Sequence, residues 1–219
     1  MGRSDQLDLD AAFSHLATAD PVLAALLDQF QPRPPRPEHG LFHDLVSAIV
    51  SQQLSSKAAD TIMRRLHDTV APGAEITPEA ILRTDHEALR AAGLSNAKAR
   101  YVHGLAEAVA DGTLDLAALP ALGDDEIVVQ LTQVKGVGRW TAEMILLFSL
   151  ARPDVLSTGD LGIRSAVMRH YGLAALPAPA AMEAIAEPWR PYRSAALLLL
   201  WQSLDNRPSV DSSPAGAAD

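Results

Sequence analysis

No cysteine occurs anywhere in the chain. That absence excludes disulfides, thiolate zinc sites and cysteine-held iron–sulfur clusters. Long hydrophobic runs are missing too. The longest apolar run in the C-terminal part, Ala195 to Trp201, is far too short to cross a bilayer. The acidic N-terminal stretch "SDQLDLDAA" lacks the basic-then-apolar layout of a secretory leader. These absences lead to the expectation of a cytoplasmic protein with no membrane partner. Basic charge is also in short supply: 18 Lys and Arg stand against 27 Asp and Glu, a net charge of −9. Phosphate binding is mostly Lys and Arg work, so the balance argues at first against a nucleic-acid partner. The charge is uneven, however. Residues 1–30 set Arg3 against five aspartates, and residues 111–127 carry five acids and no base. Residues 130–204 hold seven Lys or Arg against five Asp or Glu. That segment can carry a modest, localised electrostatic footprint. The seven histidines show no metal-ligand spacing; His39 and His43 stand four apart with no other ligand near them in sequence.

What is present is helical. The 219 residues are enough for one large domain or two small lobes with a proper core. Leu41, Leu45 and Ile49, with Phe42, Val46 and Val50 one step on, make a wide apolar stripe. A second runs through Leu54, Ala58, Ile62 and Leu66, with Ser55 placed to cap it. Residues 78–91 read as one helix opening on proline and stopping near Gly93. "NAKARYVHGLAEAVA" starts another. Ile127 and Leu131 lead into a glycine turn, and Trp140 to Leu150 lead out of it. Helices over 163–171, 180–187 and 192–204 complete the set. The proline-rich "FQPRPPRPEHG" connects a first helix to the main body, and "SSPAGAAD" reads as a disordered tail.

Two short stretches carry candidate chemistry. In "VKGVGRWTAEM", residues 134–144, Gly136 and Gly138 permit positive φ and close backbone approach. The stretch is either a plain helix–helix connection or a helix start whose amides accept an anion, a phosphate being the natural one. It is not a dinucleotide fingerprint, since no strand precedes it and the third glycine is missing. In "RPDVLSTGDLGIR", residues 152–164, Asp160 lies in a polar break between apolar helices. There Ser157 or Asp160 can cap the helix that follows. A carboxylate on that glycine-flexed helix start is equally a way to aim one negative charge.

Taken together, "LTQVKGVGRWTAEMILLFSLARPDVLSTGDLGIR" resembles the helix–hairpin–helix and aspartate signature of base-excision DNA glycosylases, with the DNA-3-methyladenine glycosylase II (AlkA-like) branch the nearest match. "AIVSQQLSSKAADTI", "LRAAGLSNAKARYV" and "WRPYRSAALLLLW" agree with it, so the resemblance covers most of residues 41–204. It implies an all-α, two-lobed fold without the N-terminal β-domain of longer AlkA proteins. One lobe would take residues 1–40 and 155–208, and the other residues 41–154, with the helix–hairpin–helix at 127–150 and a disordered tail at 209–219.

The resemblance also implies roles. Asp160 matches the catalytic carboxylate. Amides around Gly136, Val137, Gly138 and Thr141 would hold a DNA phosphate. Backbone carbonyls of Thr132, Val134 and Val137 match ligands of a monovalent cation, Na or K; no other cofactor is implied. Trp140 and Trp201 match aromatic walls of the base pocket, with Met144 and Arg193 beside them. Gln53 falls where a wedge fills the gap left by an extruded base, and Gln52 precedes it. Several of these residues also have plainer readings: Trp140 and Trp201 as core, Gln52 and Gln53 as a helix junction, Arg193 as a solvated helix start. Lyase-type relatives place a lysine after "GVGR"; here Trp140 stands there and cannot form a Schiff base. The implied activity is a monofunctional glycosylase acting on alkylated purines in double-stranded DNA, as a monomer. The rival readings are a glycosylase for oxidised or deaminated bases and a non-catalytic DNA-binding module. Such an enzyme would be nucleoid-associated in a bacterium or nuclear in a eukaryote.

Overall fold

The computed structural model describes residues 7–35 and 39–204. Among them every regular element is helical, and no helix is long and apolar enough to cross a membrane. The tail expected at 209–219 lies outside the described residues. The chain divides into two compact units, with boundaries at Pro35/Arg36 and Leu150/Ala151. These boundaries fall a few residues before those read from sequence. Backbone bonds explain the second one: Leu7 N–H donates to Ala151 O, and Ser194 N–H to Pro153 O. Residues 151–154 are therefore tied to the unit that holds residues 7–35.

That unit opens with α1 (Leu9–Ala19) and α2 (Pro21–Leu27). One apolar stripe runs through both, yet the chain breaks at Asp20, which caps α2 by accepting from Val22 and Leu23 N–H, with Pro21 in the first turn. The other oxygen of Asp20 accepts from Tyr171 O–H and, at 2.8 Å, from Trp189 Nε1. A buried carboxylate with four donors locks the N-terminal helices to the chain's second half. Asp20→Ala is expected to lower the unfolding free energy by about 3–5 kcal/mol, because it orphans the buried Trp189 indole and the half-buried Tyr171 hydroxyl and removes a cap. Urea unfolding measures it. Burial, then the hydrogen bond and charge of Asp20, push the Tyr171 phenol well above its ordinary value. A raised folded-state value means that this stabilisation is complete below the unfolded tyrosine value of about 10, and is lost as pH rises past it.

The second unit holds α3 (Leu41–Ser51), α4 (Ser56–Val70), α5 (Pro78–Arg83), α6 (His86–Ala91), α7 (Asn96–Ala110), α8 (Asp124–Thr132) and α9 (Arg139–Met144). The single helix expected over 78–91 is two. Asp85 accepts the Ala88 N–H at 2.7 Å and starts α6, so a cap overrides a continuing apolar period. Ser55 does precede α4, without a side-chain cap bond. The helix expected over Trp140 to Leu150 changes character after Met144, with Ile145–Ser149 wound as a π-helical turn. Helix α7 packs on α3, α5 and α6, with Val102, Leu105 and Ala106 buried. The first unit resumes with α10 (Leu161–His170), α11 (Pro179–Ala186) and α12 (Arg193–Leu204). Helix α12 packs on α1, α2 and α10, and its apolar residues are buried almost all round.

Candidate active site

The hairpin joins α8 to α9. It closes as a tight turn in which Val137 N–H donates to Val134 O at 3.0 Å. Gly136 takes φ +97°, and a Cβ there would sit 2.4 Å from the Tyr101 ring of α7. Glycine is thus required twice over, by conformation and by space. Gly138 is different: φ −88°, ψ 171°, with nothing within 4 Å of where a Cβ would stand. It caps α9 without a side chain, ahead of first-turn amides that have no acceptor within their helix. Thr141 in that turn is buried, while Trp140 is 46% exposed. Trp140 is therefore no core residue. Met144, in contrast, is buried. The closure also corrects one expectation: the Val137 amide is used inside the hairpin and is not an outward phosphate donor. The Val134 carbonyl that takes it keeps a second lone pair. The carbonyls of Thr132, Val134 and Val137 are neutral oxygen donors, a kind that suits a hard cation rather than a transition metal. Among the described residues no group of His, Cys, Asp and Glu is placed to hold a metal.

The glutamine pair meets this hairpin. Gln52 Nε2 donates to Gly136 O at 2.9 Å. Gln53 takes φ +58°, a left-handed conformation unusual for a residue with a side chain. From α7, Lys98 Nζ donates to Val50 O at 2.7 Å and to Gln52 O at 2.6 Å. Partial burial pushes the Lys98 ammonium below its ordinary pKa. None of this is visible as a motif. Lys98 sits in an amphipathic helix where a lysine reads as solvated, and Tyr101 shares its face three residues on.

In the other unit Asp160 takes the capping role that its sequence position allowed. It caps α10, accepting Ile163 N–H on Oδ1 at 2.8 Å, and the same oxygen accepts Trp201 Nε1 at 3.2 Å. The carboxylate is buried at 8% exposure. Two fixed donors on one oxygen set its plane. Gly162 permits this: a Cβ there would stand 3.1 Å from Asp160 Oδ1 and 3.4 Å from Trp201 Nε1. Trp201 is partly exposed, so its indole joins the carboxylate without being sealed in core.

Arg193 has another task than the one expected. Its Nε and Nη2 grip Asp154 Oδ1 and Oδ2 at 2.7 and 2.9 Å, and Nη2 also reaches Asp154 O at 2.7 Å. A forked guanidinium held by three oxygens is a brace, not a pocket wall. Beside it, Ser194 Oγ donates to Arg152 O and accepts Val155 N–H. The start of α12 thus pins the loop leading to Asp160, and its far end reaches Asp160 through Trp201. Sequence reasoning misses Asp154 and Ser194, because the partner of each lies 39 residues away.

The chain is similar to several known proteins. The sequence profile described as HhH-GPD superfamily base excision DNA repair protein matches residues 46–191. DNA-3-methyladenine glycosylase 1 of Schizosaccharomyces pombe is 35% identical over 182 residues, covering 83% of this chain and 80% of that protein. The putative DNA-3-methyladenine glycosylase YfjP of Bacillus subtilis is 31% identical over 84% of this chain, and the match spans 66% of its length. Among solved structures, the Schizosaccharomyces pombe 3-methyladenine DNA glycosylase in complex with abasic DNA superposes with a TM-score of 0.80 at 34% identity, covering 89% of this chain and 97% of that one.

Proposed function

Because this chain belongs to the HhH-GPD superfamily of base excision DNA repair proteins, we propose that it is a monofunctional DNA glycosylase releasing alkylated purines, of the 3-methyladenine and 7-methylguanine type, from double-stranded DNA. The observation that carries the reading is the Asp160 carboxylate, buried, oriented by Ile163 N–H and the Trp201 indole, and set on a helix start.

A purine alkylated at N3 or N7 is cationic and leaves readily, so little acid assistance is needed. As the C1′–N bond breaks, its electron pair goes to the base and positive charge develops on the deoxyribose. A desolvated carboxylate at Asp160 stabilises that charge and orients the attacking water. Water supplies hydroxyl to C1′, one proton is released, and the sugar–phosphate chain stays intact. Trp140, standing after "GVGR", offers no amine for strand cleavage. Its exposed face suits stacking on a cationic base, a contact worth up to about 2 kcal/mol when desolvated. In the hairpin, Gly136 and Gly138 and the first-turn amides of α9 up to Thr141 receive a DNA phosphate. A Na or K ion on the carbonyls of Thr132, Val134 and Val137 would add positive charge beside that phosphate.

Duplex DNA treated with a methylating agent tests the proposal. Free methylated purines should appear in the supernatant, and the strand should nick only after added alkali. Nicking by the protein alone would remove the monofunctional reading; no base release would remove the glycosylase reading.

A further inference from the structure

The turn after α3 has an unusual backbone. Gln52 lies at φ −51°, ψ 128°, Gln53 follows at φ 58°, and Leu54 N–H closes on Ser51 O at 3.1 Å. Those angles define a type II turn with a glutamine where glycine is the ordinary occupant. Type I and type II turns differ by a flip of the central peptide, here the one whose carbonyl belongs to Gln52. A non-glycine residue at the third position favours type I. Something must therefore hold the Gln52 carbonyl in the flipped orientation, and Lys98 Nζ does so at 2.6 Å. The same ammonium holds Val50 O, so it grips the end of α3 and the turn together. The Gln52 side chain then ties this turn to Gly136 O of the hairpin, and Tyr101, on the same α7 face, packs against that glycine.

We propose that Lys98 is a positioning residue for base extrusion: by holding the Gln52 carbonyl it locks the turn in its type II form and so presents Gln53 to the DNA. The inference rests on Gln53 acting as the wedge. Helix α7 thereby sets the wedge turn and the phosphate hairpin in one register, without Lys98 itself touching DNA. Once the ammonium is gone, the peptide relaxes toward type I and Gln53 turns away from its presented orientation.

A double-mutant cycle separates this from a general structural role. Single-turnover release of methylated purine from a matched duplex is measured for Lys98→Met, Gln53→Ala and the pair, with duplex affinity and melting temperature alongside. Lys98→Met is expected to slow release about tenfold in the parent background, and to change it less than twofold where Gln53 is already alanine. Affinity for undamaged duplex should stay within about twofold, since the hairpin's phosphate contacts remain. An equal loss in both backgrounds, or no loss in the parent, overturns the proposal. Full activity of Gln53→Ala alone overturns the wedge reading and the proposal with it. If Lys98→Met does not fold, Lys98→Gln enters the same cycle and is read by the same criteria.

Discussion

Asp160→Asn is expected to slow release of methylated bases by about 10²–10³-fold, the loss typical of removing one preorganised electrostatic group. Binding to duplex DNA and folding should be kept. The substitution is chosen because asparagine caps helices as well as aspartate does. Its side-chain oxygen can still accept Ile163 N–H and the Trp201 indole, the two bonds that orient Oδ1 in the parent. Shape, cap and aromatic contact therefore persist, and only the charge is lost. That charge matters most when the deoxyribose becomes cationic, so the effect belongs in the rate of bond breaking and not in affinity. Single-turnover kinetics on methylated duplex, together with fluorescence anisotropy on an abasic duplex, separate the two. Release within about threefold of the parent rate would sink the mechanism, because a group contributing electrostatically in a desolvated site cannot be neutralised at so little cost. Asp160→Ala makes the useful contrast: it should lose activity and also about 1 kcal/mol of stability with the cap.

How far such a site can be read in advance depends on where its partners lie in the chain. Asp160 is legible because a polar residue between glycines interrupts two apolar periods. Its orientation is not, since Trp201 lies 41 residues away and an indole in a run of leucines looks like core. Arg193 shows the reverse. From its own position it reads as a solvated helix start, but Asp154, 39 residues earlier in the loop leading to Asp160, takes the guanidinium with two oxygens. Lys98 and Val137 are opaque for a further reason: both act on backbone carbonyls, which every residue has and no sequence displays. The helices are legible through their apolar stripes, yet periodicity hides two breaks. At Asp20–Pro21 and at Asp85 the stripe continues while a carboxylate caps the next helix. Local hydrogen bonding outweighs periodicity there, and the all-helical architecture in two units is unaffected.

The two hairpin glycines should fail in different ways when each becomes alanine. Gly136→Ala is expected to damage the hairpin itself. A left-handed φ costs an L-residue roughly 1–2 kcal/mol, and the new Cβ would lie 2.4 Å from the Tyr101 ring, inside van der Waals contact. Forcing that aromatic aside costs about 1–3 kcal/mol more by the usual cost of overpacking. Melting temperature, duplex affinity and base release should all fall together. Gly138→Ala meets none of this. Its φ of −88° is open to any residue, and nothing of the protein lies within 4 Å of the added methyl. The chain asks for glycine at 138 only as the cap of α9, where alanine is the poorer residue by about 1 kcal/mol or less. If a DNA phosphate also seats on the α9 amides, Gly138→Ala loses little melting temperature and much duplex affinity, by about tenfold for one displaced charge-assisted hydrogen bond. The loss should shrink as salt rises and phosphate contacts weaken for parent and variant alike. Parent-like affinity of Gly138→Ala at low salt would mean that no DNA backbone reaches this glycine. The helix start after "VKGVG" would then be a connection between helices and nothing more.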